Sequence, residues 1–164
     1  MTSVTIPVST VPAVIEYLLT QIEVAANQDP GSGDFLVCLG EPSVDFPSAI
    51  IEVAKDVRRT VVPQTFIGSG GQDWLNESYD IDILVSVAME TVDVQTDPLT
   101  LTQRAWQLLS YVETAVRTDP SFGGLDLIAY PRTAVQEGPS WTGGTSGAGL
   151  LTVVTLTIHI ENLG

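Results

Sequence analysis

The sequence predicts an α+β domain, a largely antiparallel or mixed β-sheet with two amphipathic helices packed on one of its faces. Three observations carry this. Two segments space their apolar residues three and four apart, and each opens with polar N-cap residues and a nearby proline. Two others alternate apolar with polar residues over about a dozen positions, as strands with one buried face do. Shorter apolar runs, separated by glycine and proline at hairpin-like spacing, supply the remaining strands and favour antiparallel neighbours.

The first helix follows Ser9 and Thr10, which suit an N-cap, with Pro12 in the first turn, where its missing N–H costs nothing. Val11, Val14, Ile15, Leu18, Leu19, Ile22 and Ala25 form its apolar stripe, so the helix runs over 11–26 until Asn27-Gln28-Asp29-Pro30-Gly31-Ser32-Gly33 ends it. Phe35-Leu36-Val37-Cys38-Leu39 and residues 49–54 read as short strands. Residues 60–67 read as a weaker one, confined by Pro63 to an edge or a bulge. Gly68-Ser69-Gly70-Gly71 then reads as an exposed loop.

Over 77–89, Tyr79, Ile81, Ile83, Val85 and Val87 point to the core, and Asp80, Asp82 and Ser86 point away. Leu84 and Ala88 share that outward face, so part of it is expected to be covered in an assembly. Asp97-Pro98 opens the second helix, whose stripe of Leu101, Ala105, Leu108, Leu109, Val112 and Val116 runs to Thr118-Asp119-Pro120. Residues 122–135 read as a strand, 136–149 as a loop with five glycines, and 150–161 as a closing alternating strand.

At 164 residues and 44% hydrophobic content, residues 1–164 fit one domain. A chain of this size buries roughly 70% of its unfolded surface and needs no disulfide or metal for a core. Its single cysteine, Cys38, lies in an apolar run and reads as buried packing. The N-terminal residues carry neither a basic residue nor an apolar stretch of about 7–15 residues, so no secretory signal is expected. Residues 138–160 alternate instead of staying apolar, so no membrane span is expected either, and the protein should be soluble.

Six basic residues against 20 acidic ones give a formal charge of −14, which opposes binding to nucleic-acid phosphates. The basic residues are unevenly placed. Residues 1–54 and 60–103 contain none, whereas Lys55, Arg58 and Arg59 fall within five positions. Such a positive spot on a negative protein is a candidate handle for another copy of the chain.

Catalytic constellations are missing. The single histidine, His159, falls on the polar face of the last strand between Thr157 and Glu161, reads as a surface residue and has no nucleophile elbow nearby. Zinc would need more Cys and His ligands. Asp73, Glu77, Asp80 and Asp82 crowd together, and Asp80 and Asp82 share a strand face, yet they lack calcium-loop spacing and read as a solvated acidic surface. Neither glycine cluster has the P-loop lysine or dinucleotide-binding spacing. No catalytic, cofactor or metal residue is assigned. Trp74 and Trp141, both read in loops, are candidate interface anchors.

The whole chain resembles the tail terminators of siphophages. The resemblance rests on the N-terminal amphipathic helix, the strand opening Glu77-Ser78-Tyr79-Asp80-Ile81-Asp82-Ile83 and the helix containing Gln103-Arg104-Ala105-Trp106. It continues through Val112-Glu113-Thr114-Ala115-Val116-Arg117-Thr118-Asp119-Pro120, Gly123-Gly124 and the long closing strand. It implies a hexameric ring in the virion's tail and neck region, assembled in the host cytoplasm. The ring would cap the tail tube protein, end its growth and join the head-side connector protein. Six copies carry −84, six times −14, a charge that lets DNA pass the lumen without sticking. Ring contacts join unlike surfaces. The cluster Lys55, Arg58 and Arg59 is therefore expected to meet Asp80 and Asp82 of the next copy. Head-closure or other neck proteins share the same pattern, and a small phage metal-dependent hydrolase is the alternative from another class.

Overall fold

The computed structural model describes residues 9–30, 35–42, 48–63, 75–90, 97–125, 127–142 and 149–162. Their element order is α1 (Val11–Ala26), β1 (Phe35–Leu39), β2 (Ala49–Val53), β3 (Arg58–Pro63), β4 (Leu75–Glu90), α2 (Asp97–Thr118), β5 (Leu127–Thr142) and β6 (Gly149–Asn162). The six strands form one mixed sheet in the order β1-β2-β4-β6-β5, with β3 pairing β4 off that path. The predicted α+β class and both helices are present.

Two of the three long strands, β4 and β6, pair antiparallel at the centre from Ser78↔Glu161 to Glu90↔Gly149. Their alternation places Tyr79, Ile81, Ile83, Val85 and Val87 beside Ile160, Ile158, Leu156, Val154 and Thr152 on one buried face. Both helices cover that face. Helix α2 lies over β4, β5 and β6, burying Leu101, Ala105, Leu108, Leu109, Val112 and Val116, the stripe the sequence predicts. Helix α1 lies over β1 and β2 beside α2, with Val14, Leu18, Ile22 and Ala26 fully buried. Val11, Ile15 and Leu19 of its predicted stripe are only partly buried.

Four expectations are corrected. First, β1 and β2 pair parallel, in register from Phe35↔Ala49 to Leu39↔Val53. An apolar run fixes which face is buried but carries no information on strand direction. Second, the third strand begins at Arg58, and 64–67 lie outside the described residues. Third, β5 begins only at Leu127, because a turn precedes it: Asp119 accepts hydrogen bonds from Ser121 and from the Gly123 amide, and Phe122, at φ 50°, stacks on Tyr17. Fourth, β5 runs on to Thr142, through much of the expected loop 136–149. It does so because β6 offers a partner nearly as long and because Gly138, at φ 91°, forms a bulge between Glu137 and Ser140.

Candidate subunit interface

The face of the sheet opposite the helices holds the odd-numbered residues of β6 and the even-numbered residues of β4. At its centre β4 changes neighbour. Its upper half pairs β2 (Ile83 to Val87) and its lower half pairs β3 (Leu75 to Asp80). The segment linking β2 to β3 crosses that gap, and the Ala54 amide donates to the Asp82 carbonyl oxygen as it leaves β2 (2.9 Å). The detour opens a concavity of about 790 Å³ lined by Lys55, Asp56, Val57, Arg58, Asp80, Asp82 and Thr157.

Four of the seven residues singled out from the sequence, Lys55, Arg58, Asp80 and Asp82, therefore share one hollow, with Arg58 directly opposite Asp80 in the strand register. The carboxylates are already oriented from within the chain. The Thr157 hydroxyl donates to Asp82 Oδ1 at 2.6 Å, and His159 Nδ1 lies 2.6 Å from Asp80 Oδ1. Arg132 of β5 stands 3.8 Å from Asp80 Oδ2. These contacts fix the direction of the two acids while leaving Asp80 open to a partner.

Arg59 departs from the expected cluster. Successive strand residues point to opposite faces, so Arg59 turns to the helix side, where its Nε lies 2.6 Å from Glu77 Oε2. Glu77 is 3% exposed, contrary to the solvated acidic surface expected for it. It accepts from the Ser9 hydroxyl (2.8 Å) and from the amide and hydroxyl of Thr10 (2.6 Å each). Burial alone would raise its pKa, and the bonds from Thr10 and Ser9 with the charge of Arg59 outweigh that and hold it below the usual range. Tyr79, buried beside it with its hydroxyl 2.8 Å from that of Thr10, is pushed up to about 12.

Trp74 lies outside the described residues, and Trp141 is not in a loop but in β5, opposite Leu150. The sequence reading missed Trp106, which stands 40% exposed on α2 and donates through Nε1 to Gln136 of β5 (2.8 Å). Its position off the apolar stripe of α2 was the available signal. Ile128, Tyr130 and Val135 are likewise exposed along β5 and register with the outer-face positions Glu161, His159 and Thr155 of β6.

His159 is on the outer face as expected but is not a free surface residue. Its side chain is 13% exposed, held between Asp80 and Glu161 Oε1 (3.2 Å) and tilted against Tyr130 with ring centroids 5.4 Å apart. Cys38 is only partly buried, its thiol 3.3 Å from the Gly40 carbonyl oxygen and raised in pKa by burial and by Glu52. Among the described residues, no three His, Cys, Asp or Glu side chains gather closely enough to hold a metal ion. No described helix is long and apolar enough to cross a membrane.

The arrangement is suited to recognition: two cations and two oriented carboxylates in an open hollow, with an exposed apolar margin on the neighbouring edge strand. No family model matches the chain, and no curated protein matches its sequence.

Proposed function

We propose that the chain is a structural subunit of a siphophage tail, a terminator that caps the tail tube as a hexameric ring and presents the surface to which the head-side connector docks. The observation that carries this reading is the sheet face left uncovered by the helices, where a bipolar hollow of Lys55, Arg58, Asp80 and Asp82 adjoins the exposed Ile128, Tyr130 and Val135. Side chains of this kind, apolar and aromatic groups beside oriented charges, make a specific protein contact. The charge of −14 supports the same reading, since an acidic ring repels the DNA that threads it.

In this reading the ring contact differs in two respects from the pairing expected from sequence: Lys55 and Arg58 share one hollow with Asp80 and Asp82, so the hollow as a whole meets a different surface of the next copy, and Arg59 is not part of it. Lys55 and Arg58 form the basic half of the hollow, and Arg59 belongs to the subunit's own fold. The protein acts in the virion, with tail tube protein on one side and connector protein on the other, in a structural role.

Electron microscopy of tails assembled without this protein tests the reading. Tubes of unregulated length are the expected result. Tubes of normal length that fail to join heads would overturn termination and assign the chain to the neck instead.

A further inference from the structure

The two ends of the sheet are built differently. At one end, β5 is interrupted by two register shifts and contains Pro131, Arg132, Glu137 and Pro139, features that keep an edge strand from recruiting another. At the other end, β1 has none of these. Its five residues hold no proline and no charge, and they pair in unbroken register with β2 alone among the described residues.

Beside β1, on the helix side, lies a groove of about 490 Å³ lined chiefly by Val11, Pro12, Ile15, Leu19 and Leu39. Leu39 is 49% exposed. A strand edge that no described strand pairs, next to an apolar groove, supplies both halves of a strand-addition site, backbone groups for pairing and a pocket for alternate side chains. The charged residue at the groove is Glu16, and no Lys or Arg occurs in residues 1–54, so the rim selects against an acidic occupant.

The chain itself contains a segment of matching chemistry. Residues 2–8, Thr-Ser-Val-Thr-Ile-Pro-Val, are uncharged and place Val4, Ile6 and Val8 at alternate positions. They lie outside the described residues and lead into α1, whose first two residues, Val11 and Pro12, line the groove. We infer that residues 2–8 of one copy add as a strand to β1 of the next copy, with Val4, Ile6 and Val8 filling the groove beside α1. Pro7 is tolerated in such a strand where its missing N–H faces away from the neighbour. Donor and acceptor are different surfaces, so the contact propagates from copy to copy, as the subunit contact of a ring must. The inference rests on the ring reading above.

Two variants separate donor from acceptor. Deleting residues 2–7 leaves the groove and removes the arm, whereas Leu39→Lys keeps the arm and charges the groove at a position already half open to water. In fluorescence anisotropy, a labelled peptide of residues 1–9 is expected to bind the deleted chain saturably, and Leu39→Lys in that chain to weaken binding at least ~10-fold, as burying an unpaired charge requires. Mixing the deleted chain with the full-length Leu39→Lys chain should give a two-subunit species by native mass spectrometry that neither forms alone. No saturable binding, equal binding to the charged groove, or no mixed species would each overturn the inference, the last because an arm folded onto its own β1 forms none. Tube length without the protein reads termination separately, so either idea can fail while the other stands.

Discussion

Glu77 joins three segments that are far apart in sequence: the start of α1 through Ser9 and Thr10, β3 through Arg59, and its own strand β4. The Thr10 side chain makes no capping bond to its own helix, and the carboxylate of Glu77 takes that place, accepting the Thr10 amide where the helix dipole favours a negative charge. Because the folded pKa of Glu77 lies below its unfolded value of ~4.3, its stabilisation is complete above that pH and is lost as pH falls through the folded pKa. Glu77→Gln should therefore lower the unfolding free energy at pH 7 by roughly 1.5–3 kcal/mol and flatten the acid limb of the stability curve. Urea titrations from pH 7 down to pH 3 check both, and parallel pH profiles for the two proteins would refute the assignment. Glu77 was expected on a solvated surface, yet a signal to the contrary was present in the sequence: it has the same parity as Tyr79 and Ile81, which alternation assigns to the buried face. Its partners were not readable, because Ser9 and Arg59 reach it only after the sheet forms.

At the scale of elements, the β5–β6 ribbon is held in register except at two places, Arg132 and Gly138-Pro139, the second opposite Thr152. A Cβ at Gly138 would come within 2.6 Å of the Leu151 carbonyl oxygen, and its φ of 91° is costly for any side chain. Gly138→Ala is expected to cost roughly 1–3 kcal/mol by thermal or chemical unfolding. Thr152 is fully buried beside this bulge, and its hydroxyl has no hydrogen-bond partner among the described atoms. Replacing it by the similarly shaped valine removes an unmet polar group, so Thr152→Val should raise stability by about 1 kcal/mol. A lower melting temperature would mean the hydroxyl is satisfied. The helices are tied by Asp29, which accepts from Arg104 (2.9 Å) and Tyr111 (2.5 Å) just beyond the end of α1. The sequence marked Asp29 only as part of the helix stop, since short-range pattern cannot distinguish a solvated turn acid from one covered by a second helix.

For the whole molecule, the proposed ring makes the placement of charge a matter of association more than of fold. Lys55 and Arg58 make no ion pair within the described residues, but Lys55 acts on Glu52 and Arg58 stands opposite Asp80, so reversing both to Glu should lower unfolding stability only modestly, by about 1–2 kcal/mol. The same double change should abolish ring assembly at low salt. An unchanged oligomer by mass photometry would exclude the hollow from the contact. The net charge of −14 predicts that duplex DNA keeps its gel mobility in the presence of the protein even at about 50 mM salt. A shifted band would contradict a lumen that repels its cargo.

The sequence by itself determined the class of the fold, both helices with the buried stripe of α2, and the inward and outward faces of β4 and β6, because all of these follow from local periodicity. It also determined the acidity and the place of the basic cluster along the chain. Tertiary structure decided the parallel pairing of β1 with β2, the extension of β5 to Thr142 and the division of that cluster, with Arg58 facing the hollow and Arg59 spent on Glu77. Periodicity fixes the face of each residue relative to its own element. Which elements become neighbours, in what direction and at what register, is set by contacts between residues many positions apart, and those contacts decide whether a charge is left for a partner or used within the chain.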